Sequence, residues 1–470
     1  MEMKLTISLA IITALLMHHH PSLTAAATTA HPTITPANAS LAGFSLQLVA
    51  AADHEALDHT VRRGSDGFLH LQSRLRTDLP PRPPSGGANV TTTLRGPDMY
   101  APLRLPAALV VGVGTGSGRQ DYLFKVVDTS SSLIWMQCKG CDPHSPQRHR
   151  LFDTTSSPTF RLVPGTNPFC RPPYWSEFNG HACAFRVDGP RGMSVEGYLG
   201  TDQLTYKGVV HQNVPFGCAH RAFHFQNDGV FAGVIGATAV ARGLTRFSYC
   251  LFHGGDANRQ RFLRFGTDVP RNPRYRTTKI LPALGARDES SGHYVGLVGV
   301  SLGARRLDGI RPEMFACRED GQGGCVIDLG TPLTVMAREA YDVVEEAVWS
   351  DLQRHGAERV ELAGYGLCVR ASSEAIKGRL PSLSLHFPEE AAALVVSPEQ
   401  LFLMADDEEQ RVACLAMKPG RRTVIGALQQ VDTRFVFDLK DSKLSFASES
   451  CIQDTVEVVL MIHRCCSDSS

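Results

Sequence analysis

The 470-residue sequence has no excess of charge of either sign, because 47 lysines and arginines balance 47 aspartates and glutamates. A whole-molecule field that would attract nucleic acid or anionic lipid is therefore not expected. Long apolar runs are missing beyond the N-terminus, since VEVVLMI near the C-terminus is far shorter than the roughly 20 residues of a membrane-spanning helix. No second pair at metal-ligand spacing accompanies Cys138 and Cys141, so we expect no metal site and interpret these two as a local disulfide.

The N-terminal hundred residues are poor in the patterns that make a packed domain. Residues 1–27 contain a lysine, an apolar run and then small residues, which is the layout of a cleavable secretory signal, with an uncleaved anchor as the alternative. Residues 28–98 are rich in Ala, Thr, Pro and Gly and predict a propeptide and linker. Two sequons in this segment, at Asn38 and Asn89, predict a glycoprotein.

From about Leu109 onward the sequence consists of short β-branched and aromatic runs separated by glycine and proline. With 42 glycines and 28 prolines in the chain, this pattern predicts a mainly β fold with many turns. Helical periodicity is strongest at residues 338 to 355, where Tyr341, Val344 and Val348 fall on one face. A chain of this length is expected to form two domains.

An internal repeat is the most informative feature. VVDTSSSLIW around Asp128 is echoed by VIDLGTPLTV around Asp328. Each is followed about a hundred residues later by two apolar residues and a glycine, in GVIGA at 233–237 and TVIGA at 423–427. Two copies in the same order predict two similar lobes, with a cleft where the two aspartates meet.

At these residues the sequence resembles the pepsin-like aspartic proteases, and most closely their plant nepenthesin-like branch. The resemblance covers roughly residues 105 to 451 and includes LIWMQC at 133–138, VPFGCAH at 214–220 and RFSYCLF at 246–252. It implies an all-β, bilobal pepsin-like double β-barrel with a pseudo-twofold axis and a few short helices. The implied boundaries are an N-terminal lobe at 99–270, a C-terminal lobe at 271–451 and a tail at 452–470.

The resemblance also assigns roles to individual residues. Asp128 and Asp328 take the catalytic positions. Ser131 and Thr331 match hydroxyls that steady the outer carboxylate oxygens. The remaining supporting positions are Thr129 and Gly330 in the two loops, Trp135 behind the first loop, and Gly236 and Gly426, which let each loop pass through its lobe.

Two carboxylates in these positions can cut a peptide bond without a metal or a covalent intermediate. Like charges so close cannot both ionise easily, so the pair shares one proton. One carboxylate then activates water while the other donates to the carbonyl oxygen. The implied function is an aspartic endopeptidase that is active in acid, is made as a zymogen and needs no cofactor.

The implied partners are polypeptide substrates, with no nucleic acid and, after signal cleavage, no membrane. We expect a monomer, because each lobe can cover its own core. The signal directs the chain to the secretory pathway, and the destination is either the cell exterior and wall or a vacuole.

Three departures from the family pattern bear on activity. Ser130 stands where the first loop has glycine, and Leu329 replaces the hydroxyl residue that ties the two loops together. The loss of that hydroxyl removes one hydrogen bond of roughly 0.5–1.5 kcal/mol, and Thr129 needs another partner. In the flap, Gly189 followed by Pro190 stands where the family has a tyrosine, so the aromatic lid is missing.

These departures favour a second hypothesis, a catalytically weak or inactive pepsin-fold homologue that acts as a binding or inhibitor protein, like the plant xylanase inhibitors. Two other motifs have ordinary interpretations. GVGTGSG at 112–118 predicts a hairpin turn rather than a nucleotide-binding loop. Ser248 has no histidine and aspartate in an order that would make a catalytic triad.

Thirteen cysteines in a secretory context predict disulfides with one thiol left over. The resemblance pairs Cys250 with Cys451 and Cys368 with Cys414. Cys170–Cys183 and Cys317–Cys325 are plausible local pairs. The other disulfide candidates are Cys138, Cys141 and Cys218, while Cys465 and Cys466 stay unassigned.

Overall fold

The computed structural model of the chain describes one short segment near the N-terminus and most of the region from Pro106 to Cys451. The described residues are 44–50, 106–113, 120–129, 133–147, 149–171, 174–177, 180–188, 193–206, 209–225, 232–240, 244–252, 261–282, 293–318, 323–329, 331–362, 364–370, 378–389, 391–407 and 410–451. The predicted signal, both sequons and the tail lie outside them. Among these residues, no helix has both the length and the apolar character needed to cross a bilayer.

Strands dominate the N-terminal half. They are β1 Phe44–Ala50, β2 Pro106–Val113, β3 Gln120–Asp128, β4 Ile134–Gln137, β5 Arg161–Leu162, β6 Trp175–Glu177, β7 Ala182–Asp188, β8 Ser194–Tyr206, β9 Val209–Phe223, β10 Gly233–Gly236, β11 Arg246–Cys250 and β12 Arg261–Phe265. The described helices of this half are α1 Ala237–Val240 and a 3₁₀ turn at Gly266–Asp268.

The C-terminal half has the same character and carries the one long helix of the described residues. Its strands are β13 Arg276–Leu281, β14 His293–Val295, β15 Gly299–Leu302, β16 Arg305–Arg306, β17 Cys325–Ile327, β18 Thr334–Ala337, β19 Arg359–Val360, β20 Cys368–Arg370, β21 Leu383–His386, β22 Ala393–Val396, β23 Phe402–Asp407, β24 Gln410–Leu415, β25 Met417–Gly420, β26 Thr423–Ile425, β27 Thr433–Asp438 and β28 Lys443–Ser448. Its helices are α2 Arg338–Arg354, α3 Pro398–Leu401 and 3₁₀ turns at Pro312–Phe315 and Ala427–Gln430.

Six strands form a sheet that both halves share. Its order is β1–β12–β11–β27–β28–β13, with every neighbouring pair antiparallel. The halves meet where β11 runs beside β27, with the rings of Phe247 and Phe437 stacked 4.5 Å apart. The sheet is symmetric about its centre. Strands β11, β12 and β1 of the first half follow one another outward on one side, as β27, β28 and β13 of the second half do on the other.

A second strand pattern occurs once in each half. In the first, β3 runs parallel to β10, β10 antiparallel to β4, and β4 parallel to β9. In the second, β17, β26, β18 and β25 follow the same sequence of parallel, antiparallel and parallel pairing. The repeated sequence segments lie on the corresponding strands, so the prediction of two similar β lobes is confirmed.

The long helix lies where the periodicity predicts it. Helix α2 spans Arg338–Arg354, one residue shorter than expected, and buries Tyr341, Val344, Val348 and Leu352. These residues recur every three or four positions and so share the face that packs against β15, β18 and β25.

One strand lies inside the segment predicted as propeptide and linker. In β1, Phe44 lies opposite Phe265 of β12, and Val49 lies opposite Ala108 of β2. The alternation of apolar residues in FSLQLVA is typical of a half-buried strand. Strand β1 therefore forms the edge of the shared sheet, although residues 28–98 carry no other described element.

The GVGTGSG segment joins two antiparallel neighbours. Val113 of β2 lies opposite Gln120 of β3, so the six residues between them connect a hairpin. The predicted turn itself, at residues 114–119, lies outside the described residues and stays a prediction.

Three of the disulfides expected from the sequence are present: Cys250–Cys451, Cys368–Cys414 and Cys170–Cys183. A fourth joins Cys138 to Cys218. The prediction of a local Cys138–Cys141 disulfide is wrong, because the parallel pairing of β4 with β9 places Cys138 beside Cys218. Cys141 is a buried free thiol whose Sγ donates to the carbonyl of Pro143 at 3.6 Å.

The proposed Cys317–Cys325 pair is also wrong, because both residues are free thiols. Cys325 lies on β17 with its side chain in the apolar core. The Sγ of Cys317 instead lies over the backbone of Gly324 and is partly exposed. Burial raises the pKa of the Cys325 thiol, which therefore stays protonated.

Candidate active site

The first aspartate loop begins at the end of β3. Asp128 is the last residue of this strand and lies opposite Gly236 of β10. The Asp128 carboxyl, Ser130 and Ser131 lie outside the described part of the molecule. Thr129 is described and is almost completely buried, at 1% exposure.

The second aspartate loop begins at the end of β17 and is described more fully. The backbone N–H of Asp328 donates to the carbonyl of Ile425 at 3.2 Å, and the Gln430 side chain donates to the Asp328 carbonyl at 3.2 Å. The hydroxyl of Thr331 donates to the Oδ2 atom of Asp328 at 2.8 Å. Thr331 thus holds one oxygen of a half-buried carboxyl, while Gly330 between them lies outside the described residues.

The two loops touch one residue away from each aspartate. The hydroxyl of Thr129 donates to the carbonyl of Ile327 at 3.2 Å, a buried hydrogen bond between the two halves. Thr129 directly follows Asp128, and Ile327 directly precedes Asp328. The partner that the sequence left open for Thr129 is therefore this carbonyl, and the two loops are adjacent at their bases.

The matching bond in the opposite direction has no donor. Leu329 occupies the position that Thr129 has in the first loop, and it packs as a partly buried apolar side chain against the main core. Leucine cannot donate a hydrogen bond, so the tie between the loops is one-sided.

A phenol from the first half supports the second loop. The hydroxyl of Tyr249 donates to the Oε1 atom of Gln430 at 2.5 Å, and the amide of Gln430 donates to the carbonyls of Ile425 and Asp328. Burial, and secondarily the negative charge of Asp328, raises the pKa of Tyr249 well above its usual value. The phenol therefore stays protonated and keeps donating.

The backbone beside both loops is packed too closely for a side chain at two glycines, Gly426 and Gly233. A Cβ on Gly426 would lie 2.4 Å from the carbonyl carbon of Leu333, and one on Gly233 would lie 1.9 Å from the carbonyl oxygen of Trp135. The Trp135 side chain is buried and meets Phe225 edge-on, with ring centroids 4.8 Å apart. These contacts fix the strands behind the first loop.

The predicted flap corresponds to a long hairpin of β7 and β8. Asp188 lies opposite Ser194, and the tip between them, including Gly189 and Pro190, lies outside the described residues. Next to the tip, Arg186 forms an ion pair with Asp188 at 3.0 Å and with Glu196 at 2.7 Å. These pairs are largely exposed and contribute little stability.

Two polar side chains beside the first loop are not indicated by any sequence motif. His293 of β14 and Thr238 of α1 both lie within hydrogen-bond distance of the Thr129 carbonyl, at 2.8 and 2.9 Å. His293 stands in an apolar run, HYVGLVGV, where a lone histidine shows no motif. Only its register opposite Ile327, the residue before Asp328, places it at the site.

Within the described residues, no group of three or more His, Cys, Asp or Glu side chains is arranged to hold a metal ion. The site instead offers one described carboxyl, its threonine donor and a backbone framework that holds two loops together.

Known proteins match this chain over both halves. A family model described as "Xylanase inhibitor N-terminal" matches residues 110–267, and one described as "Xylanase inhibitor C-terminal" matches residues 292–448. Aspartyl protease family protein 2 of Arabidopsis thaliana is 28% identical over 360 residues, covering 73% of this chain and 70% of that protein. Aspartic proteinase nepenthesin-1 of Nepenthes gracilis is 25% identical over 409 residues, covering 84% of this chain and 86% of that protein.

A solved structure supports the fold. The chain titled "Crystal structure of edgp" superimposes with a TM-score of 0.54 at 18% identity, covering 73% of this chain and 95% of that one. The bilobal all-β architecture expected from the sequence is therefore confirmed.

Proposed function

Since this chain belongs to the pepsin-like aspartic protease family, we propose that it is an endopeptidase that hydrolyses peptide bonds in acid with the carboxyls of Asp128 and Asp328. The observation that carries the proposal is the hydrogen bond from Thr129 to the carbonyl of Ile327, at 3.2 Å. It supports a site in which the residues next to the two aspartates are in direct contact, as a shared-proton pair requires.

The proposed chemistry needs no cofactor. Two carboxyls in contact share one proton, because the second ionisation places a charge beside a charge. The ionised member takes a proton from water as that water attacks the peptide carbonyl, and the protonated member donates to the carbonyl oxygen. The hydroxyl of Thr331, 2.8 Å from Oδ2 of Asp328, holds that carboxyl in one orientation.

The proposed substrate is an extended polypeptide lying between the two lobes under the β7–β8 hairpin. A strand-like peptide is bound largely through its backbone, so one cleft accepts many sequences. Glycine at position 189 cannot supply the aromatic ring that the family's tyrosine places over the peptide, and we expect weak substrate binding as a result.

The proposed setting is the secretory pathway. Four disulfides among the described cysteines support an oxidising compartment, which is where such bonds persist. We place the protein outside the cell or in a vacuole, as a monomer with glycans at Asn38 and Asn89.

We expect the purified protein to degrade an unfolded protein substrate at about pH 3 to 5, with little cleavage at neutral pH, and we expect pepstatin to stop the reaction. Pepstatin carries a hydroxyl that stands where the attacked carbonyl would be, so it should bind only a working pair of carboxyls. The measurement is the release of new peptide N-termini over time. Acid cleavage that pepstatin leaves unchanged, or no cleavage by folded protein, would exclude the proposed function.

We further expect acid treatment to shorten the precursor to a product that starts between residues 80 and 105. The new start lies after the propeptide-like segment. Strand β1 would then no longer be covalently linked to the chain that contains β12 and β2, the strands with which it pairs. N-terminal sequencing of the acidified sample measures this. A fully active protein that still begins just after residue 27 would contradict the zymogen part of the proposal.

A second candidate function is a binding or inhibitor protein on the same scaffold. The observation that favours it is the one-sided tie between the loops, since Leu329 provides no donor. The matching family models, described as xylanase inhibitor domains, support the same alternative. A folded protein without acid protease activity would favour this function.

A further inference from the structure

A histidine from the C-terminal half contacts the first aspartate loop, and the proposed chemistry does not use it. His293 is 8% exposed, and its Nε2 atom lies 2.8 Å from the Thr129 carbonyl oxygen and 3.0 Å from the hydroxyl of Thr238. The Thr238 hydroxyl donates to the same carbonyl at 2.9 Å. One buried carbonyl, a single residue after Asp128, thus faces two side-chain donors.

The geometry fixes which imidazole nitrogen carries the proton. A carbonyl oxygen can only accept, so the Nε2 atom must carry hydrogen to make a 2.8 Å contact with it. His293 is therefore the Nε2–H tautomer when neutral. The same N–H also points toward the lone pairs of Thr238, whose own hydrogen is used on the carbonyl.

The ring sits in an aromatic setting that holds it in place. Its centroid is 4.8 Å from that of Phe437 and 6.0 Å from that of Phe247. Both phenylalanines belong to the sheet that joins the two halves. His293 thus contacts both the sheet shared by the two halves, through Phe247 and Phe437, and the first aspartate loop, through Thr129.

At the pseudo-twofold counterparts of these two donors, the sequence has no side chain that could make the same contact to the second loop. Thr238 follows Gly236 by two residues, and the residue two after Gly426 is Leu428. His293 lies opposite Ile327, and continuing the β2–β3 register brings Pro106 opposite Val127. Neither leucine nor proline has a side-chain donor. The extra donors thus serve the first loop, while the second loop has lost its hydroxyl at Leu329.

We propose that His293, together with Thr238, is a positioning residue that holds the Thr129 carbonyl and thereby orients Asp128 for catalysis, replacing the loop-to-loop hydrogen bond that Leu329 does not make. A carbonyl held by two donors fixes the plane of its peptide. That peptide joins Thr129 to the next residue, so the two donors fix the loop one residue beyond Asp128 and limit how Thr129, and Asp128 before it, can rotate. This inference rests on the proposed protease function.

The test compares His293→Phe and His293→Gln with the wild-type enzyme on one quenched peptide substrate. Phenylalanine fits the aromatic setting but cannot donate, and we expect kcat to fall about tenfold with KM within about twofold of wild type. Glutamine carries an amide N–H of similar reach, and we expect it to restore kcat to within about threefold. Thr238→Val removes the other donor and should lower kcat by about threefold.

The matched control is His386→Phe. His386 also contacts a hydroxyl, with its Nε2 atom 2.7 Å from the Ser301 Oγ atom, but it lies on β21 in a separate four-stranded sheet. We expect kcat and KM of this variant to equal those of wild type. An equal loss of kcat in His293→Phe and His386→Phe would show a general packing effect and overturn the proposal.

Nuclear magnetic resonance of ¹⁵N-histidine-labelled protein tests the contact without any activity. At neutral pH the His293 imidazole should carry its proton on Nε2, and this proton should exchange slowly with solvent. The chemical shift of the Nε2 atom should change in Thr238→Val. A proton on Nδ1, or an unchanged chemical shift in Thr238→Val, would overturn the inference.

The two readouts also separate this inference from the proposed function. If the wild-type protein is inactive but its His293 resonances are as expected, the proposed protease function is wrong and the contact itself is supported. If His293→Phe does not fold, the kcat values and the histidine resonances of His293→Gln and Thr238→Val decide the test. Thr238→Val lacks one donor to the Thr129 carbonyl, and His293→Phe lacks the other. If either of these two variants folds and has a wild-type kcat, the proposed positioning role is contradicted.

Discussion

Replacing Asp328 by asparagine should lower the rate of acid cleavage by at least about a thousandfold. Asparagine has the same shape and can still accept the hydrogen bond that Thr331 donates at 2.8 Å, so the loop should keep its conformation. It cannot ionise, so it can neither take the proton of water nor share a proton with Asp128. The initial rate on a peptide substrate at about pH 4 measures the effect, with circular dichroism to verify folding.

The control for Asp328→Asn is the same change at Asp342, an exposed residue of α2 that forms a surface ion pair with Arg338. Its activity should match wild type, because it has no contact with either loop. The corresponding change at Asp128 should be as harmful as that at Asp328. An Asp328→Asn enzyme that is folded and still cleaves at a pepstatin-sensitive wild-type rate would remove Asp328 from the catalytic pair.

The parts of the fold that the sequence predicts are those with a local or repeated pattern. Tyr341, Val344 and Val348 recur at helical spacing, and α2 lies where they predict it. The two aspartate segments share an apolar pattern around the aspartate, and strand pairing repeats around them. Such signals need only neighbouring residues or a comparison of the chain with itself.

The parts that the sequence does not predict depend on register between distant strands. Cys138 pairs with Cys218 rather than its neighbour Cys141 because β4 runs beside β9. His293 reaches Thr129 only because β14 pairs with β17 across from Ile327. A one-residue slip in either pairing would send the side chain to the opposite face of its sheet. No property of an isolated cysteine or histidine specifies that register.

The stability of the protein should fall as pH drops from 6.5 to about 4, and His293 should account for about 3 kcal/mol of the loss. Burial lowers the pKa of His293 to about 4, although the hydrogen bond to Thr129 acts in the opposite direction. In the unfolded chain the imidazole has its ordinary pKa near 6.5, so between the two values the unfolded state binds more protons. Protonation then favours unfolding, and the contribution is complete above pH 6.5 and lost as pH approaches 4.

Among the described residues, no charged group is in contact with the imidazole. The groups in contact with the imidazole are the rings of Phe247 and Phe437, the Thr238 hydroxyl and the Thr129 carbonyl. The titratable groups on the packed elements have partners of their own: Tyr249 with Gln430, Arg246 with Asp438, Arg434 with Glu449 and Asp328 with Thr331. A proton on His293 would therefore be a buried charge with no counterion among the described groups that contact it, which is costly.

The measurement is urea unfolding of wild type and His293→Phe at pH 7 and pH 4. The unfolding free energy of the wild type minus that of His293→Phe should be about 3 kcal/mol lower at pH 4 than at pH 7, because only the wild type has the buried imidazole to protonate. His386→Phe should show a smaller change, since its side chain is more exposed, although burial and Arg306 also lower its pKa. A constant difference between wild type and His293→Phe would show that His293 does not titrate as a buried group. A protease that works in acid would thus carry its own acid limit in the residue that orients its first aspartate.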